Sequence, residues 1–110
     1  MLICCSSNTA TKFQVENDTE KCVEIIKCDA SIDKKLPLVI EQQSMELFSA
    51  SKLVESATFV INFDSEIYSI ETDYIQEYSK INIVLYTDND LLKAKIILKN
   101  KTVELEVNRL

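Results

Sequence analysis

The chain has 110 residues, 46% of them hydrophobic and 27% charged, and its eighteen acidic and twelve basic residues give a formal net charge of −6. That length holds one domain, residues 1–110, with a modest core, and the composition is that of a folding globular protein, which excludes disorder as the default state. The negative charge and the lack of any Lys/Arg cluster argue against a nucleic-acid partner, whose phosphates this chain would repel.

The apolar start Leu2-Ile3-Cys4-Cys5 is too short for a signal-peptide core, and no run approaches the roughly 20 apolar residues of a membrane span. The expected location is therefore intracellular, cytoplasmic or nuclear, without membrane association. Leu2 to Cys5 and Lys12 to Val15 flank the polar run Ser6-Ser7-Asn8-Thr9-Ala10-Thr11 and read as a hairpin. Its connection is expected to span several residues, because no glycine is available for a tight Asn-Gly turn.

Asn17 with Glu20 three residues on resembles a capping box, and Cys22, Ile25 and Ile26 then recur at helical spacing, which predicts a short helix over 19–28. Residues 29–35 read as a polar loop, and Pro37 holds Leu36 extended ahead of a short strand, Leu38-Val39-Ile40. Beyond Glu41, the residues Leu47, Ala50, Val54 and Ala57 fall on one face of a helix, with Met45 and Phe48 beside it, and are read as core. Thr58 to Phe63 is a strand candidate, and Asp64, Glu66, Glu71 and Asp73 read as a solvated acidic loop.

The segment Tyr74-Ile75-Gln76-Glu77-Tyr78-Ser79-Lys80-Ile81 joins that loop to an apolar last third. There Ile81-Ile83-Leu85 and Val103-Leu105-Val107 alternate as strands do, while Leu91 to Leu98 fits a strand or a buried helix, with Asp88 and Asp90 suited to a helix start. Periodicity alone favours an antiparallel ending, the two aspartates fit a helix start equally well, and the choice between helix and strand over 81–110 stays open.

Cys4, Cys5, Cys22 and Cys28 lack a CxxC spacing, and with no histidine a zinc site would need all four thiolates. They read as buried, reduced thiols with no metal. The absence of glycine removes the phosphate-binding GxxxxGK and GxGxxG loops, and the absence of histidine removes the commonest general base. No cofactor and no catalytic activity are expected. The sequons at Asn17 and Asn100 matter only for an exported chain and are discounted.

The opening Leu2-Ile3-Cys4-Cys5-Ser6-Ser7-Asn8, then Phe13-Gln14-Val15, Ile26-Lys27, Leu36-Pro37-Leu38, the Tyr74 to Ile81 segment, and Leu92, Ala94, Leu98 and Lys101 follow a familiar order. This order resembles the Skp-type and Elongin C-like adaptors of cullin-RING ubiquitin ligases. The resemblance implies an α/β fold of the BTB/POZ type, a small sheet with surrounding helices, in which residues 88–110 are mainly helical. It implies a non-catalytic adaptor linking a cullin-like scaffold to a receptor protein. Ile96, Ile97, Val103 and Leu110 would form the partner-binding patch on its C-terminal helices. The alternative is an α+β protein, an antiparallel sheet with one or two helices and strands at 81–86, 91–98 and 102–107. It would be a stand-alone acidic binding or inhibitor protein, or a subunit of a larger assembly, with self-association left open.

Overall fold

Alternation of buried and exposed residues governs nearly every segment of the computed structural model, which describes residues 11–51, 55–72, 80–99 and 101–110. Ten strands result: β1 (Lys12–Asn17), β2 (Val23–Cys28), β3 (Leu38–Ile40), β4 (Met45–Ser49), β5 (Ala57–Phe63), β6 (Glu66–Thr72), β7 (Lys80–Asp88), β8 (Leu91–Ile97), β9 (Thr102–Glu104) and β10 (Glu106–Arg109). They form two five-stranded sheets with orders β4-β1-β7-β8-β9 and β10-β6-β5-β2-β3. All neighbours are antiparallel except β1 and β7, which run parallel, with Lys12 beside Lys80 and Asn17 beside Leu85.

The inward positions of the two sheets meet in one core. Phe13, Val15, Phe48, Ile81, Ile83, Leu85, Ala94 and Ile96 come from the first sheet, and Val23, Ile25, Phe59, Ile61, Tyr68 and Ile70 from the second. Phe13 ties them together, stacking on Phe48 at 5.4 Å and meeting the ring of Phe59, in the opposite sheet, edge-on at 5.4 Å. Such offset and T-shaped pairs add to the area term of core burial.

The chain changes sheets at both edges of the sandwich. Residues 41–44 lead from β3 in the second sheet to β4 in the first, and Leu105 alone separates β9 from β10 on the far side. Leu105 is buried, and its N–H donates to the Ala94 carbonyl at 2.9 Å. At the first edge, Asn17 is the knot. Its amide donates to the carbonyls of Lys21 (2.8 Å) and Ile40 (2.9 Å), and its Oδ1 accepts from the N–H (3.0 Å) and hydroxyl (2.6 Å) of Thr19. One fully buried side chain thereby joins the end of β1, the turn into β2, and β3.

Two connections are tight hairpins made without glycine. Phe63 pairs with Glu66 around Asp64-Ser65, and Asp88 pairs with Leu91 around Asn89-Asp90. All four central residues have positive φ, between 52° and 65°. That is the type I′ requirement, met by residues that tolerate it better than most because short polar side chains bond locally.

Both expected fold classes are corrected by these strands. The BTB/POZ-like α/β arrangement and the α+β alternative each call for helices, and the described residues contain none. The helix expected over 19–28 is β2, where a register shift between Ile25 and Lys27 inserts Ile26 as a bulge. The extra residue puts two isoleucines side by side and imitates helical spacing. Asn17 does cap a turn, but an Asx turn rather than a helix, since the same side-chain chemistry serves both.

The helix expected after Glu41 is β4, whose outward Met45 and Leu47 are exposed while Phe48 and Ala50 are buried. The acidic loop is a two-residue turn followed by β6. The described residues of 88–110 form strands and their connections and no helix, and the strands of the alternative at 81–86, 91–98 and 102–107 correspond to β7, β8 and the pair β9 and β10. The Leu36–Pro37 peptide ahead of β3 is cis. Of the Tyr74 to Ile81 segment only Lys80 and Ile81 lie within the described residues, and Cys4, Cys5, Val54 and Asp73 lie outside them.

Candidate functional site

The edge strand β4 combines two properties that a sheet edge usually avoids, uncovered backbone groups and exposed apolar side chains. The hydrogen bonds from the Asn17 N–H to the Ser44 carbonyl and from the Ala50 N–H to the Thr11 carbonyl, each 2.8 Å, fix which residues of β4 face β1. Antiparallel pairing alternates, so Glu46 and Phe48 bond to β1 while Met45, Leu47 and Ser49 aim their backbone groups away from it. Ser49 is covered, because its N–H donates to Asp33 Oδ1 at 2.8 Å and its carbonyl accepts from the Asp33 N–H at 2.9 Å. Met45 and Leu47 have no such cover among the described residues, and their side chains are 52% and 58% exposed.

Next to Leu47 lies a cleft of about 340 Å³, lined also by Lys12, Asp33, Phe48, Ser49 and Lys80. The parallel register of β1 and β7 brings the two lysines to neighbouring positions on the outer face. The ion pairs among the described residues are Lys21 with Asp64 at 2.7 Å and Lys34 with Glu46 at 3.7 Å, so Lys12 and Lys80 are outside any ion pair there. The hydrogen bond and charge of Asp64 hold the Lys21 ammonium above its ordinary pKa.

The four residues proposed from the sequence as a partner patch are not brought together. Ile96 is fully buried and Val103, its partner across β8 and β9, packs against the core. Ile97 faces outward on the same sheet and is half-exposed, while Leu110 is exposed beyond β10, its N–H donating to the Ile67 carbonyl of the other sheet at 2.8 Å. Sequence reading missed Met45 and Leu47 as surface residues. No local signal marks them, because the outward Met45 and Leu47 are apolar while Glu46 shares the inward face with Phe48 and Ala50.

The cysteine expectation changes as well. Cys22 is exposed and Cys28 half-buried, both as free thiols. Burial pushes the Cys28 thiol above its ordinary pKa, with the Asp29 charge adding to the effect and a backbone hydrogen bond at Ala30 opposing it. Raised thiols are poor nucleophiles. No group of three or more Cys, Asp or Glu side chains among the described residues is placed to hold a metal ion. Also among the described residues, no helix is long and apolar enough to cross a membrane.

A polar cluster sits further along the same outer face. The Tyr86 hydroxyl donates to the Glu104 carboxylate, whose oxygens lie 2.5 and 2.6 Å away, and Lys95 Nζ is 5.1 Å from the ring centroid. The hydrogen bond to Glu104, then burial, then the charges of Glu104 and Asp88 push the phenol up to about 12. The neutral phenol is thus favoured in the folded state, so this stabilisation is complete below the ordinary value of 10 and is lost as pH rises through about 12. Ultraviolet titration of the Glu104→Gln variant should show one tyrosine returning towards its ordinary value. An unchanged titration curve would remove the hydrogen bond as the cause.

Comparison with known proteins adds no relative: no family model, no curated protein and no solved structure matches this chain.

Proposed function

We propose that the protein is a non-catalytic protein-binding domain that engages its partner through the strip formed by β4. The observation that supports this reading is the coincidence, at Met45 and Leu47, of exposed apolar side chains with outward backbone groups that have no partner among the described residues. Sheet edges are ordinarily blunted by charge, proline or cover, and here residues 31–33 cover only the Ser49 end. The role linking a cullin-like scaffold to a receptor drew on C-terminal helices. The present reading keeps protein binding and moves the contact to β4.

The test is paired affinity capture from cell extract with the wild-type chain and the Leu47→Lys variant. A lysine on an exposed edge position leaves the fold intact, so a partner should be held by the first and lost by the second. Identical capture by both would rule out β4 as the contact.

A further inference from the structure

Resting on that reading, we infer that β4 takes up an extended segment of the partner as an added strand, with an acidic side chain of that segment seated against Lys12 and Lys80. Each residue that points away from β1 offers one N–H and one carbonyl, so Met45 and Leu47 together present four backbone hydrogen-bonding groups to such a segment. Side chains of the added strand opposite Met45 and Leu47 would lie on the same outer face, where apolar residues complement the two exposed ones. Asp33 occupies the edge at Ser49, so the segment stops there.

The cleft opens at that stopping point. Strands lie about 4.8 Å apart, so an added strand sits about 10 Å from β1, a span that a Glu and a Lys side chain cover together. Ser49 stands between them on the outer face with a short side chain, beside Lys12, which is beside Lys80. Among the described residues the remaining charge in the cleft is Asp33, whose carboxylate accepts from the Ser49 N–H, while Lys34 nearby is paired with Glu46. Although the chain as a whole carries −6, the charges within a Debye length of about 8–10 Å decide the sign felt by a docked side chain. The same −6 on every copy disfavours a second molecule of this chain as the occupant. The segment therefore carries apolar-x-apolar with an acidic residue within two positions of one end.

The experiment pans a phage-displayed library of random linear peptides against the full chain, then measures the selected peptides by fluorescence anisotropy and amide chemical shifts. Enriched peptides should carry the apolar pair and the acid, should bind more weakly as salt rises, and should shift the amides of Met45 and Leu47. Lys12→Glu and Lys80→Glu should each weaken binding about fivefold, as for a partly exposed ion pair. Leu47→Pro removes the outward N–H at a position where an edge strand tolerates proline, and should weaken binding about tenfold. If that variant is misfolded by circular dichroism, N-methylation of the peptide backbone tests the same bonds from the other side.

Peptides without an acid, shifts confined to another surface, no enrichment, or pairing of two copies through β4 would each overturn the inference. The two proposals fail separately. Loss of partner capture in Leu47→Lys with no effect of the proline and lysine variants removes strand addition alone, whereas unaffected capture removes both.

Discussion

Phe13→Ala is expected to destabilise the protein by about 3–5 kcal/mol. Phe13 is 1% exposed and is the ring on which both sheets converge, stacked on Phe48 and edge-on to Phe59. Truncation opens a cavity that two rings of different sheets border, and neither can collapse into it without leaving its own strand. A domain of this size has a stability of about 5–15 kcal/mol, so the variant should lie close to unfolding. Its thermal midpoint should fall by about 4 °C for each kcal/mol lost. Leu47→Ala, on the exposed face, serves as the control and should move the midpoint little. A loss below about 1 kcal/mol in Phe13→Ala would mean that the two sheets do not depend on this contact.

Asn17→Ala should cost about 3 kcal/mol by a different route, since little apolar area is lost. Removing the side chain takes this donor from the Ile40 carbonyl and this acceptor from the Thr19 N–H, and leaves the Lys21 carbonyl with the Thr19 hydroxyl alone. Asn17→Asp separates this from a simple loss of volume. The carboxylate still accepts from Thr19 but cannot donate, and it places a buried charge against two carbonyl oxygens. Urea denaturation should therefore rank wild type well above both variants, and a near-neutral Asn17→Asp would contradict the donor role assigned to this amide.

The strands that were legible in the sequence are those whose pattern is undisturbed. Lys12 to Val15, Leu38-Val39-Ile40 and Thr58 to Phe63 read correctly because alternation and β-branched content agree there. β2 was hidden by the bulge at Ile26, which breaks the period of two at the position where it would be counted. β4 was hidden for the opposite reason, because Met45 and Leu47 are apolar on the exposed face and fill in the gaps of the pattern. β6 was hidden by Glu66, exposed at its start, and by Glu71 on its outer face, in a strand whose inward face carries Tyr68, Ile70 and Thr72. The candidate site was less visible still. Lys12 and Lys80 are neighbours only through the parallel pairing of distant strands, and no local signal in either segment announces it.

That parallel pairing has a kinetic consequence. β1 cannot complete its place in the first sheet until β7 exists, and β7 begins at residue 80, after most of the chain has been made. β1's other neighbour, β4, lies between them in sequence and pairs with Ser49 opposite Lys12. Assembly through contacts of such separation requires closing long loops before any pairing is rewarded. Folding in milliseconds to seconds is the expected regime. The hairpins β5-β6 and β7-β8, each closed by two residues, are the segments able to form first and present β7 to the waiting N-terminal strand.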